Sequence, residues 1–137
     1  MADDPLARKA HADLIIDRAA QQLDGLLKEA ALALRPFPPF PGAFFTNAVE
    51  VELTGVERSD IGCVVVTERG ELRELKMQIN ATDEFGDMVD MVQSRDEDLV
   101  ELEDLHPRDF IVLAYNALNQ LTELLLEREE AAQSEGA

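Results

Sequence analysis

An α+β fold follows from three features of this sequence. Apolar residues recur with helical spacing up to about Leu34, the spacing changes to strict alternation from Asn47, and helical spacing returns after His106-Pro107. The predicted arrangement is a long N-terminal helix, a small antiparallel meander of three or four strands, a short acidic helix, and a C-terminal helix packed on the sheet. With 137 residues, 46% of them hydrophobic and 30% charged, the chain can build one core without disulfide staples. A single domain over 1–137 is expected, with 1–4 and about 128–137 flexible and 35–46 a Pro/Phe-rich connector.

The first helix starts at Asp4-Pro5, because the Asp side chain can accept from free backbone donors and proline has no amide to lose there. Pro36 restricts Arg35 and closes it. Ile16, Ala20, Leu23, Leu27, Ala31 and Leu34 form one apolar stripe, and Ile15, Ala19, Leu26 and Ala30 a second beside it. That arc is wider than one packing surface needs. Gly25 marks a point of kinking or division.

The connector RPFPPFPGAFF holds four of the chain's six phenylalanines and four prolines, which favour an extended, polyproline-like path with Phe37 and Phe40 along one edge. Pro36 with Pro39, and Pro38 with Pro41, have the P-x-x-P spacing of a ligand for another protein's groove, which makes Phe37 and Phe40 candidate partner-binding residues. A stiff connector whose rings pack on the chain's own sheet is the simpler account, since such ligands usually lie in disordered polar tails.

Val49, Val51 and Leu53 alternate with Glu50, Glu52 and Thr54, as in a strand with one wet face. Ile61 to Thr67 is apolar on both faces, so a central strand is expected there, covered on one side by a helix and on the other by a partner subunit. Arg69-Gly70 turns the chain into a strand over Leu72 to Ile79. Phe85, Met88, Val89 and Val92 are spaced for a short amphipathic helix, and Leu99, Val100 and Leu102 for a fourth strand. His106-Pro107 opens the last helix, whose apolar stripe includes Phe110, Leu113, Ala117, Leu121 and Leu124. Glu127, Glu129 and Glu130 stand at the wrong end of the helix dipole, so fraying is expected there.

Charge narrows function. The chain carries a net −17, and residues 83–109 alone hold eleven Asp/Glu against two Arg. Such a surface repels nucleic acid and anionic lipid and attracts basic partners or divalent cations. The twelve Lys and Arg are dispersed, with no basic-aromatic platform for nucleic acid. The single Cys63 excludes an intrachain disulfide, and the start lacks the apolar segment of a signal peptide, so a cytoplasmic location is expected, with no membrane attachment.

Catalytic motifs are sparse. The only histidines are His11, on a mixed-polarity helix, and His106, best placed as a helix cap; Cys63 alternates with Ile61 and Val65 as a small hydrophobe. Glycine-rich phosphate loops, H-E-x-x-H and paired C-x-x-C are absent from the sequence. Carboxylates remain. Glu84, Asp87 and Asp90 would share a helix face, and Glu101 with Asp104 repeats the spacing. These E-x-x-D pairs resemble those of the all-α nucleotide pyrophosphatases, which clamp Mg²⁺ between helices. That resemblance implies a Mg²⁺- or Mn²⁺-dependent hydrolase with these five acids as ligands. A solvated acidic face is the simpler account of the same residues.

The leading expectation is a non-enzymatic protein–protein interaction module, adaptor or chaperone-like, needing no cofactor. Its partner-binding acids would be Asp96, Asp98, Glu101, Glu103 and Asp104. The broad apolar arcs ask for more cover than one small sheet provides, so a homodimer, or a protein partner on the same surface, is expected. In size, acidity and element order the chain resembles the small dimeric chaperones of type III secretion effectors, a likeness of composition and topology only.

Overall fold

The computed structural model describes residues 4–79 and 95–135. Two long helices and a four-stranded antiparallel sheet make an α+β architecture, with elements α1 (Pro5–Ala33), β1 (Ala48–Glu50), β2 (Val64–Thr67), β3 (Leu72–Ile79), β4 (Arg95–Val100) and α2 (Pro107–Glu135). The strands lie in the order β1-β2-β3-β4. The short acidic helix expected around Phe85 to Val92 lies outside the described residues.

Both helices start as the sequence predicts. Leu6 N donates to the Asp4 carboxylate at 3.0 Å, and Arg108 N donates to His106 Nδ1 at 3.1 Å, so each cap satisfies a backbone donor that the helix cannot. Gly25 does not divide α1, which is continuous over 29 residues. It ends before the cis Arg35–Pro36 peptide, with Leu34 N donating to the carbonyls of Ala30 and Ala31. At the other end of the chain α2 remains helical to Glu135, past the acids at 127–130 where fraying is expected.

The sheet has two covered faces. On one, Leu27, Ala31 and Leu34 of α1 and Leu113, Ala114, Ala117 and Leu121 of α2 pack against Val64, Val66, Val51 and Leu72, with Phe37 among them. On the other, Val65, Ala48 and Leu75 are covered by Phe40. The second cover of the central strand, expected from a partner subunit, is therefore supplied by the chain's own connector. The reason is a turn. Pro41 and Gly42 occupy its centre, Gly42 has φ 87°, and Ala43 N donates to Phe40 O at 3.0 Å, so the chain reverses instead of keeping a polyproline path. Phe40 N then donates to Thr46 O at 2.9 Å, which fixes the ring beneath the sheet.

β1 is shorter than the alternation from Val49 to Leu53 predicts. Gln120 of α2 accepts from Glu52 N at 3.0 Å and donates to Glu50 O at 2.7 Å, and Asn116 donates to the carbonyls of Glu52 and Thr54. Val51 N still donates to Val64 O at 2.8 Å, and from Glu52 onward helix side chains replace strand partners. Farther along, Asp109, only 5% exposed, accepts from Glu57 N at 3.0 Å and Arg58 N at 3.3 Å. Asp109, Asn116 and Gln120 are seven and four residues apart, so one polar line of α2 holds the whole segment 50–58.

Candidate functional site

Among the described residues, the most exposed aromatic rings sit where the connector meets β4. Phe44 and Phe45 are 57% and 77% exposed, with ring centroids 6.4 Å apart in an edge-to-face arrangement. Their backbone is held by one residue of the sheet. The Glu97 carboxylate accepts from Phe44 N at 2.8 Å, Phe45 N at 3.1 Å and Thr46 Oγ1 at 2.8 Å. Three donors converging on one anion fix the loop firmly.

The strand register extends the patch. Leu75 pairs with Leu99 and Met77 with Glu97, which puts all four on the face that Phe40 covers. Leu99 and Met77 remain 42% and 40% exposed. A cavity of about 300 Å³ opens beside Phe45 and Leu99, with Glu68, Arg69, Glu71 and Arg73 on its walls. Arg73 is occupied within the chain, by Glu71 at 2.6 Å and Glu101 at 4.0 Å. An apolar anchor with a charged rim is the result.

The residues singled out from sequence fall in several places. Phe37 and Phe40 are 6% and 8% exposed and belong to the two cores, so as partner-binding rings they are corrected to packing residues. Burial of both inside the fold leaves neither for a groove elsewhere. Among the acids, Asp96 stands in β4 opposite Gln78, and Asp98 is exposed opposite Lys76. Glu101, Glu103 and Asp104 lie in the exposed loop after β4. There the Glu103 carbonyl accepts from Arg58, and Asp104 takes a left-handed conformation with φ 54°. Glu84, Asp87 and Asp90 lie outside the described residues. Among the described residues no three His, Cys, Asp or Glu side chains converge in a metal-binding group.

Glu97, Phe44 and Phe45 are not distinguished by sequence. Glu97 looks like its neighbours in Asp96-Glu97-Asp98; only the register that turns it toward the connector sets it apart. The adjacent ring pair after Pro41-Gly42 is the available signal, since a turn there leaves the following residues outside the polyproline path.

A second cavity, about 500 Å³, lies between α1 and the sheet, with Leu72, Leu102, Leu105 and Phe110 as its apolar part and Asp17, Arg73 and Glu101 at its polar edge. Cys63 is half-buried, and burial, then the charges of Glu50 and Glu74, push its thiol pKa up. A protonated thiol is a poor nucleophile. Among the described residues no helix is long and apolar enough to cross a membrane. Compared with known protein families, curated proteins and solved structures, this chain matches none.

Proposed function

We propose that this chain is a non-enzymatic protein–protein interaction module, adaptor or chaperone-like, that holds a basic segment of a partner protein by apolar anchors on the sheet face bearing Phe44 and Phe45. The observation that carries this reading is the outward aromatic pair pinned by Glu97. Exposed rings on a fixed loop cost little conformational entropy to engage, and contiguous exposed apolar surface is characteristic of binding sites. The partner's sign follows from the net charge of −17. Self-association belongs to the same reading, because the helical layer also leaves Ile15 and Leu26 at 53% and 48% exposure.

The test is to pan a random peptide library on immobilised protein and counter-select on the Phe44→Ser/Phe45→Ser variant. Enriched peptides are expected to combine Lys or Arg with leucine or aromatic anchors and to lose the variant. Absence of enrichment, or equal retention by both proteins, would sink the proposal.

A further inference from the structure

We infer that two copies of this chain associate through an antiparallel pairing of their α1 helices, along the line Ala12, Ile15, Ala19, Gln22, Leu26, Glu29. This deepens the self-association in the reading above, and it stands apart from partner capture, which uses the other side of the sheet.

The spacing is the first observation. These positions alternate by three and four residues, the heptad repeat of a helix–helix seam, and Arg8 and Ala33 continue it at the two ends. The seam is about 39 Å long at 1.5 Å per residue. It lies beside the stripe that α1 buries in its own core, and it faces water: Ile15 and Leu26 are about half exposed, Ala19 is intermediate, and Ala12, Gln22 and Glu29 are exposed. Ala12 and Ala19 flank Ile15 along it. Small residues on both sides of Ile15 let a larger side chain of the second copy approach the backbone there.

Charge selects the occupant and its direction. α1 carries four basic residues, Arg8, Lys9, Arg18 and Lys28, and four acidic ones, Asp13, Asp17, Asp24 and Glu29, so the helix is neutral in a chain of net −17. A second copy of such a chain is repelled by most of the surface and least by this helix. In a parallel pair Glu29 would face Glu29 and Arg8 would face Arg8. In an antiparallel pair Ile15 faces Leu26 of the second copy, Ala19 faces Gln22, and Glu29 comes within a turn of Arg8. Opposite charges then meet at both ends, and the polar Gln22 near the axis fixes the register.

The experiment is sedimentation equilibrium on the full chain and on Ile15→Glu, Leu26→Glu and Phe45→Glu variants, with helicity and thermal midpoint followed by circular dichroism. Wild type and the Phe45→Glu control, which adds the same charge on the far side of the sheet, are expected to be dimers. Ile15→Glu and Leu26→Glu are expected to weaken dimerisation roughly 30-fold or more without loss of helicity, since each removes an apolar contact from both copies. A monomeric wild type would overturn self-association itself; a dimer unchanged by either seam variant would overturn the seam. Direction is read in a Cys63→Ser background. Ile15→Cys/Leu26→Cys should form interchain disulfides on mild oxidation while Ile15→Cys alone does not, and efficient crosslinking of Ile15→Cys alone would overturn the antiparallel pairing.

Discussion

Asp109 connects a helix terminus to a loop fifty residues earlier in the chain, and its burial makes that connection costly to lose. Asp109→Ala would leave the amides of Glu57 and Arg58 without their acceptor, so it should destabilise the fold by about 2–3 kcal/mol in urea unfolding, whereas Asp109→Asn, which keeps one acceptor oxygen, should cost less. Equal losses for the two would mean that packing, not hydrogen bonding, is what Asp109 contributes. Asp109 stands in the first turn of the last helix, where a carboxylate suits the dipole, but the dipole alone needs no buried carboxylate. Its partners are distant in sequence and carry no local signature. Glu97 teaches the same lesson at the candidate site: three acids in a row read alike, and a register decides which one turns inward to hold Phe44 and Phe45.

Between elements, the β2–β3 turn comes close to the backbone of α1. A Cβ on Gly70 would lie 2.5 Å from Lys28 Cα and 2.9 Å from Leu27 O, and Gly70 has φ 78°, so substitution meets both backbone collision and torsional strain. Gly70→Ala should therefore lower stability by at least about 2 kcal/mol in urea unfolding, and a change within experimental error would show that the hairpin does not press on the helix. Local periodicity made much of this layer legible. The starts of both helices, the end of α1, the β3 strand over Leu72 to Ile79 and the two-faced burial of β2 are all readable from spacing and caps. The extent of β1 was not, because apolar alternation continues to Leu53 while Asn116 and Gln120 take over the backbone from Glu52. Nor was the connector's reversal, where the Pro41-Gly42 turn prevails over the extended preference of the prolines before it.

For the whole molecule, the governing property is a charge of −17 on 137 residues. Self-repulsion of that size weakens the compact state and is relieved by screening, so added salt should raise the thermal midpoint whatever its cation. The account predicts that Mg²⁺ or Mn²⁺ raises it no more than NaCl of matched ionic strength. A saturable, cation-selective excess, abolished by Asp87→Asn or Glu101→Gln, would instead favour the metal-dependent hydrolase. Composition made the acidity legible at once. The position of the apolar anchor was not legible, because Phe37 and Phe40 belong to the same connector as Phe44 and Phe45 and only the folded sheet separates buried rings from exposed ones. The most direct measurement is calorimetric titration of a panned lysine-rich, leucine-bearing peptide into wild-type protein and into the Phe44→Ser/Phe45→Ser variant. Saturable binding to wild type, weakened roughly tenfold or more in the variant although every acid remains, is the predicted result. Equal affinity for the two proteins, or no saturable heat with wild type, would contradict the account.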